Sequence, residues 1–314
     1  MTNVRLVLHS VSYAGLWGQA RLPVEAVLDR AVQLGYEAVM LVGKRPHASP
    51  GDLDEGARRR LRAALDRRGL RLAAVAGYTD FCGGQDHLGI PMREMQLLYV
   101  AELARLASDL DADVVRVFTG YGRSDVPFDT QWAWCVEAIR ECARRAADHG
   151  VTIGVQNHHD LAVHPDSLLD FLRDVGEPNC KLCFDAWSPA LLGCDLGAVA
   201  RRMAPHTVFT TVADYVARPR YAYDPSLVNY TRQTDALRAV AMGEGFIDYR
   251  AFLDGLRAGG YPADGWVAYE MCSALDGGGS EENLDRCARR FVGWMREHGY
   301  APATHERAAA AAGN

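Results

Sequence analysis

Several common features are missing from this chain of 314 residues, and each absence argues against a class of protein. No apolar run approaches the roughly 20 residues of a membrane-spanning helix. The start, "MTNVRLVLHS", lacks the apolar region and cleavage site of a signal peptide, so we expect a cytoplasmic protein. The formal net charge is -6, and no long basic run occurs. Because phosphate binding needs clustered Lys and Arg, nucleic acid is not expected to be the main partner.

Motifs for zinc, redox and dinucleotide sites are also missing. The chain has eight cysteines, but "CKLC" at 180–183 is a lone C-x-x-C without a second pair at zinc spacing. In a cytoplasmic protein we expect all eight to be reduced thiols. No G-x-G-x-x-G follows the first predicted strand, which argues against a doubly wound, dinucleotide-binding sheet.

Short apolar runs that alternate with long amphipathic stretches are what the chain does contain. Strands are predicted at 4–9, 38–42, 71–77, 114–120, 151–157, 180–186, 207–214 and 266–271. Helices are predicted near 23–34, 53–68, 92–110, 129–149, 165–175, 195–203, 249–258 and 281–298. Eight β-then-α units in about 300 residues predict a closed (β/α)8 TIM barrel, with an open sheet as the alternative. We assign residues 1–300 to the barrel and 301–314 to a flexible tail.

Polar residues follow almost every predicted strand, whereas the strand interiors are apolar. In a barrel of this kind the active site lies at the carboxyl ends of the strands. Residues two apart on a strand share a face, so Gln156 and His158 are predicted to face the ligand together. His159 is predicted to point the other way and to be structural. A carboxylate in the inward row is costly without a partner, and Asp185 and Glu270 are the two acids that we place there.

These motifs resemble those of the xylose isomerase-like barrels, the sugar phosphate isomerase/epimerase superfamily. The resemblance covers roughly residues 4–298 and rests on strand order, "QNH", "FDAW", "TTVADY", "MGEGFIDY" and "YEM". It implies an enzyme of carbohydrate or cyclitol metabolism. It also implies a divalent metal held by a Glu, an Asp, a His and a Glu, and epimerases with one Glu on each face of the substrate carbon.

Two of the four metal positions implied by the resemblance are altered here. The four positions correspond to Gln156, Asp185, Thr211 and Glu270. At Gln156 an amide replaces a carboxylate, and at Thr211 a hydroxyl replaces an imidazole. Gln156 cannot act as a base, and a scheme with two Glu bases does not transfer intact. Three interpretations remain: Gln156, Asp185 and Glu270 still hold Mn2+, Mg2+ or Zn2+; the metal is lost and the charged groups do the acid/base work; or the chain binds a sugar without turnover.

The predicted function is a sugar or cyclitol isomerase or epimerase that removes a proton next to a carbonyl, assisted by a divalent metal. The alternatives are a lyase, dehydratase or keto-glycoside-cleaving enzyme of the same barrel type, and a non-catalytic sugar-binding relative. The predicted partner is a small polyhydroxylated substrate, and a homo-oligomer is expected. The predicted catalytic residues are His158 as base, Glu270 and Lys44, and the predicted substrate contacts are His47, Tyr78, Arg116, Trp187 and Asn157.

Overall fold

The apolar runs of the sequence form the strands of a closed barrel in the computed structural model, which describes residues 3–84 and 89–302. The strands of the described residues are β1 (Arg5–His9), β2 (Ala38–Val42), β3 (Arg71–Ala76), β4 (Val114–Val117), β5 (Thr152–Gln156), β6 (Cys180–Cys183), β7 (Thr207–Val212), β8 (Asp214–Asp224), β9 (Asn229–Val240) and β10 (Trp266–Tyr269). The barrel order is β1-β10-β7-β6-β5-β4-β3-β2, and neighbouring strands are parallel throughout. The predicted (β/α)8 barrel is confirmed.

Helices follow the barrel strands as predicted, and their bounds fall within two residues of those expected. They are α1 (Val24–Leu34), α2 (Glu55–Arg67), α3 (Met92–Asp109), α4 (Phe128–Ala147), α5 (Pro165–Val175), α6 (Trp187–Leu191), α7 (Leu196–Met203), α8 (Tyr249–Ala258) and α9 (Glu281–Glu297). The short helix α6 is an addition that the sequence did not predict. Among the described residues, no helix is both long and apolar enough to cross a membrane.

Local sequence explains where several helices begin and end. Asp54, Asp195 and Asp248 each precede a helix and accept a hydrogen bond from the backbone N–H three residues further on, at 2.7, 3.0 and 2.9 Å. Each bond satisfies one of the donors that the first helical turn leaves unpaired. Gly35 ends α1 with a φ of +85°, a left-handed conformation that glycine adopts without steric cost.

The inward row of each barrel strand changes from apolar to polar at its carboxyl end. Lower in the barrel the inward positions hold apolar side chains, which fill the interior: Val7, Ala38, Met40, Ala74, Ala76, Val114, Cys183, Phe209 and Ala268. Two residues beyond five of these positions the alternation places His9, Arg116, Asp185, Thr211 and Glu270, and Gln156 follows Gly154 in the same way. Apolar side chains therefore fill the lower part of the barrel interior, and a layer of polar side chains lies above them at the mouth.

A long antiparallel hairpin, formed by β8 and β9, lies between β7 and α8 and was not predicted. The two strands pair from Asp214 with Val240 to Asp224 with Asn229. Most of its outer residues are exposed, and Tyr223 and Tyr230 contact each other with ring centroids 5.3 Å apart. Only the base of the hairpin is buried, at Tyr215, Ala239 and Val240, so hydrophobic periodicity gave little signal for this element.

The division into a barrel over residues 1–300 and a tail over 301–314 stays a prediction. Barrel closure itself is seen in the pairing of β1 with β10. Residues 303–314, most of the predicted tail, lie outside the described residues.

Candidate active site

A cavity of about 680 Å³ opens at the carboxyl ends of the barrel strands. Seven of the predicted site residues line it: Lys44, Tyr78, Arg116, Gln156, His158, Trp187 and Glu270. The volume is that of a pocket for a small molecule. The location at the mouth matches the position of active sites in this fold.

Four polar side chains from four neighbouring strands lie together at the floor of the cavity. Gln156 Nε2 donates to Asp185 Oδ2 at 2.6 Å and to Thr211 Oγ1 at 3.3 Å. The Thr211 hydroxyl is close enough to the Glu270 carboxylate to lower its pKa. We call Asp185, Gln156, Thr211 and Glu270 the polar chain. These are the four positions at which the resemblance implied metal ligands.

Asp185 is held from both sides of its carboxylate. Its Oδ2 atom accepts from Gln156, while Oδ1 accepts from the Trp187 backbone N–H at 3.0 Å and lies 3.4 Å from Asn157 Nδ2. Burial raises the pKa of Asp185 to about 6, and the hydrogen bonds from Gln156, Trp187 and Asn157 oppose that rise.

Asn157 was predicted to contact substrate, but its amide is fully used within the protein. Its Nδ2 donates to the Asp185 carbonyl at 3.0 Å and to Ser188 Oγ at 2.8 Å. Its Oδ1 accepts from the Asp185 backbone N–H at 2.9 Å. This prediction is wrong, because Asn157 fastens the end of β5 to the end of β6 and does not line the cavity.

Glu270 presents a buried carboxyl group to the cavity. Burial raises its pKa to about 7; the Arg116 charge opposes the rise and the Asp185 charge adds to it. Its Oε2 atom lies 3.8 Å from Nε2 of His9. This nitrogen is buried and has no hydrogen-bond partner in the described part of the chain. Cys272 Sγ lies 3.6 Å from Oε1. A carboxyl with a pKa near neutrality is suited to accept and return a proton.

Two cations lie on aromatic rings on the opposite side of the mouth. Lys44 Nζ lies 3.7 Å from the Tyr78 ring centroid. The Arg116 guanidinium carbon lies 4.9 Å from the Tyr78 centroid and 4.0 Å from that of Phe118. Arg116 Nη1 also donates to the Gly77 carbonyl at 2.9 Å. Burial and the nearby Arg116 charge lower the pKa of Lys44.

Both histidines of "QNHHD" line the cavity, which contradicts the expectation that His159 points away. His159 has a φ of +65°, so β alternation ends there and its ring stacks on Tyr121 and Phe118, with centroids 4.0 and 4.3 Å apart. His158 Nδ1 accepts from the His159 backbone N–H at 2.8 Å. The neutral His158 ring therefore carries its proton on Nε2. Burial, followed by the charges of His159 and Arg116, lowers the pKa of His158 to about 3.

His47 was predicted to contact substrate, but it is buried beside the mouth. Its Nε2–H donates to the Leu22 carbonyl at 3.0 Å, and its Nδ1 lies 3.0 Å from Ser10 Oγ. Ser10 Oγ already accepts from the Val42 backbone N–H at 2.9 Å, so it donates to Nδ1. Both ring nitrogens are thus satisfied, and the prediction is wrong because His47 ties together the ends of β1 and β2.

Asp214, at the start of β8, is bonded to backbone groups of a neighbouring loop. Asp214 Oδ2 accepts from the backbone N–H groups of Gly243 and Gly245, each at 2.9 Å. Asp214 therefore holds the "MGEGF" loop. A Cβ at Gly245 would overlap the Asp214 carboxylate, which explains the glycine.

The donor atoms at the mouth do not fit a divalent ion held as the resemblance implies. The predicted ligands Gln156, Asp185 and Glu270 do come together, but Gln156 presents its nitrogen to Asp185. Amide nitrogen is a hydrogen-bond donor and has no lone pair to offer a metal. Within residues 3–84 and 89–302, no group of three or more His, Cys, Asp or Glu side chains is placed to hold a metal ion.

Comparison with known proteins identifies the family. Residues 28–298 match the family model "Xylose isomerase-like TIM barrel", and this chain belongs to that family. The rhizopine catabolism protein MocC of Rhizobium meliloti is 28% identical over 264 residues, which cover 79% of this chain and 74% of that protein. Fructoselysine 3-epimerase of Escherichia coli O157:H7 is 25% identical over 140 residues, 43% of this chain and half of that enzyme.

Solved structures show the same fold at low sequence identity. A structure of L-ribulose 3-epimerase superposes with a TM-score of 0.69 at 20% identity, over 99% of this chain and 98% of that one. The 3-keto-D-glucoside 4-epimerase YcjR of E. coli gives a TM-score of 0.70 at 13% identity, over 94% of this chain and 100% of that one. These likenesses support the fold and not a particular substrate.

Proposed function

We propose that this protein is an isomerase or epimerase that moves a proton at the carbon next to a carbonyl of a sugar or cyclitol. One observation carries the proposal: the Glu270 carboxyl, whose pKa is about 7, shares a cavity with the cations Lys44 and Arg116. A base and an electrophile in one pocket are what enolisation requires. The epimerases among its relatives support the same class of reaction.

In the proposed reaction Glu270 takes the proton from the carbon, and the electron pair of the broken C–H bond forms the C=C bond of an enolate. The charge that develops on the former carbonyl oxygen is stabilised by Lys44 and by the Nε2–H group of His158. This assignment replaces the predicted role of His158 as base. An imidazole with a pKa of about 3 is a weak base at neutral pH, but it remains a hydrogen-bond donor.

The return of the proton decides the product. Isomerisation is complete when the hydroxyl proton on the original carbon passes to the former carbonyl oxygen and Glu270 returns its proton to the former carbonyl carbon, so one base is enough. Inversion at the original carbon needs a proton donor on the opposite face, and Gln156 has no acidic proton for that purpose. Elimination is the second candidate because it also needs one base: the enolate expels a β-hydroxyl, which leaves as water when Glu270 returns its proton to it.

Aromatic side chains give the cavity a preference for polyhydroxylated rings or chains. Tyr78, Tyr121 and Trp187 line it together with the charged groups. Aromatic faces pack against the C–H faces of such substrates, while the polar chain and the cations offer hydrogen-bond partners to hydroxyl groups.

Hydrogen–deuterium exchange at the carbon beside the carbonyl tests the proposal. A panel of keto-sugars and inososes is incubated in D2O with wild type, with Glu270→Gln and with the control Glu282→Gln, which changes an exposed acid. Exchange by wild type and the control, but not by Glu270→Gln, is expected. A substrate that binds without exchange in wild type would instead indicate a sugar-binding protein.

A further inference from the structure

Three of the four positions of the polar chain are joined by hydrogen bonds, and the fourth lies beside them. Gln156 Nε2 donates to both Asp185 Oδ2 and Thr211 Oγ1, and the Thr211 hydroxyl acts on the pKa of the neighbouring Glu270 carboxylate. All four side chains are buried, with exposed fractions between 2% and 9%. The Gln156 amide nitrogen, a hydrogen-bond donor, thus lies among the positions where the resemblance implies a cation. It is bonded to Asp185, one of the carboxylates that a cation would need.

The direction of the Gln156 amide follows from the contact itself. The atom that faces Asp185 Oδ2 is 2.6 Å away. If the amide oxygen faced the carboxylate at that distance, two acceptors would oppose each other in a buried site, which costs the desolvation of both. Only the nitrogen makes a favourable contact there, so the amide oxygen is turned away from Asp185.

Arg116 supplies the positive charge that such a buried acidic site requires. Its side chain is 2% exposed, and no ion pair with a carboxylate is found for it in the described part of the chain. Its charge nevertheless acts on both acids, because it lowers the pKa values of Glu270 and Asp185 against the effect of burial. Arg116 pairs in register with Gly154 on β5, where a side chain would overlap the Cys183 thiol.

A guanidinium fixed in this place also disfavours a metal ion. A divalent cation would have to enter a low-dielectric pocket that already contains a buried positive charge, where repulsion is weakly screened. It would also have to displace the hydrogen bonds of Asp185, whose two oxygens accept from Gln156 and from the Trp187 N–H.

We propose that the hydrogen-bonded polar chain and Arg116 together take the place of the family's divalent metal in this protein, whose site therefore works without one. Gln156 and Thr211 are the two residues that replace metal ligands: the amide donates to Asp185 and to Thr211, and the Thr211 hydroxyl stands at the position where the resemblance implies an imidazole. The inference does not rest on the proposed function, since it concerns metal affinity and is measured without substrate.

Calorimetric titration of the chelator-treated wild type with Mn2+, and separately with Zn2+, is the first test. We expect no saturable site tighter than about 1 mM, the weak end of specific binding. Elemental analysis of the protein as purified should find no stoichiometric divalent metal. A single metal site in wild type that is lost in Asp185→Asn would overturn the proposal. Asp185→Asn is the only variant that this measurement needs.

A gain-of-function variant is the second test. Gln156→Glu combined with Thr211→His restores the ligand types that the resemblance implies, and it should bind one Mn2+ at least about 100-fold more tightly than wild type. Added Mn2+ should then raise its thermal midpoint and leave that of wild type unchanged. The matched control, Gln156→Glu with Thr211→Val, adds the carboxylate without the imidazole and should bind more weakly.

The second test can tell a wrong assignment of Gln156 and Thr211 from a variant that fails to fold. A folded double variant that binds metal no better than wild type would show that Gln156 and Thr211 do not determine metal affinity, and it would overturn their assignment. If the double variant does not fold, the wild-type titration still decides whether the native site holds a metal. Failure of the proposed sugar chemistry would leave both results unchanged, because neither uses a substrate.

Discussion

The two sides of the barrel mouth bury charge in different ways. On the side of β5, β6, β7 and β10, Asp185 accepts from the Gln156 amide, and the Thr211 hydroxyl, which also accepts from that amide, lowers the pKa of the Glu270 carboxylate. On the side of β2, β3 and β4, Lys44 and Arg116 lie against aromatic rings. We call these the acid side and the cation side.

The difference shows how both charges stay available to a ligand. Amide and hydroxyl groups satisfy carboxylates by hydrogen bonds, whereas a cation on a ring face is stabilised without a counter-ion in contact with it. Arg116 lowers the pKa values of Glu270 and Asp185 across the cavity, but within the described residues no close ion pair joins these acids to Arg116 or Lys44. A carbonyl between them would have a base on one side and positive charge on the other.

Removal of the acid-side base should have the largest effect on activity. Glu270→Gln keeps the shape of the side chain and removes the proton acceptor, so we expect kcat to fall by about 10²–10⁴. The free energy of unfolding should not fall, because an uncharged amide is less costly to bury than a carboxylate. Steady-state kinetics with the substrate found by exchange, together with urea unfolding, measure both.

The control for this comparison is Glu282→Gln, an exposed change at the start of α9. It alters the net charge by the same amount and should leave kcat within twofold of wild type, about 0.4 kcal/mol of activation free energy. Activity of Glu270→Gln equal to that of this control would remove Glu270 from the mechanism.

Removal of a cation from the other side should have the next largest effect. Lys44→Met keeps an unbranched side chain that is one atom shorter and removes the charge that lies on Tyr78. Loss of one stabilising group for a developing oxyanion typically costs about 10²–10³ in kcat, and we expect a loss in that range. If Lys44→Met changes KM and leaves kcat unaffected, Lys44 binds substrate without stabilising the transition state.

Most of the fold could be predicted from the sequence because its signals are local. Apolar runs and helical periodicity placed all eight barrel strands and their main helices. The β8–β9 hairpin was missed because its strands do not bury a regular apolar face. Alternation also identified the polar end of each inward row, as Gln156, Asp185 and Glu270 show.

The orientation of side chains beyond the strand ends could not be predicted in this way. His159 faces the cavity because its backbone is left-handed, which breaks the alternation that Gln156 and His158 follow. His47 and Asn157 follow strands as closely as the true lining residues do, yet each finds partners from a neighbouring strand end. Such contacts depend on residues distant in sequence, and a pattern within one strand does not report them.

The tautomer of His158 gives a smaller and more specific prediction. If His158 donates from Nε2, then His158→Gln should keep part of the activity, because its amide also carries an N–H donor near that position. His158→Ala should lose roughly 10- to 100-fold in kcat, as expected from about 1.5–3 kcal/mol for a hydrogen bond to a charged group. Equal losses in the two variants would contradict the donor role.

The smallest expected effect concerns stability, at His47 beside the cation side. Burial lowers the pKa of His47 below its usual 6.5. The hydrogen bond to the Leu22 carbonyl opposes this shift, and the charge of Arg21 adds to it. The folded protein therefore keeps His47 neutral at a pH where the unfolded chain takes up a proton. Because the unfolded state binds more protons, the free energy of unfolding should fall as the pH drops below about 6.5.

His47→Gln isolates this contribution, since glutamine does not titrate. Urea unfolding of wild type and variant at pH 8 measures how much the imidazole ring stabilises the fold through its hydrogen bonds to Leu22 and Ser10. Between pH 6.5 and 5 the gap between the two proteins should narrow, by up to about 1.4 kcal/mol per pH unit for one proton. Parallel curves over that interval would mean that His47 is protonated in the fold. Its Nδ1 would then donate to Ser10, and the neutral ring that we assign to the join between β1 and β2 would be wrong.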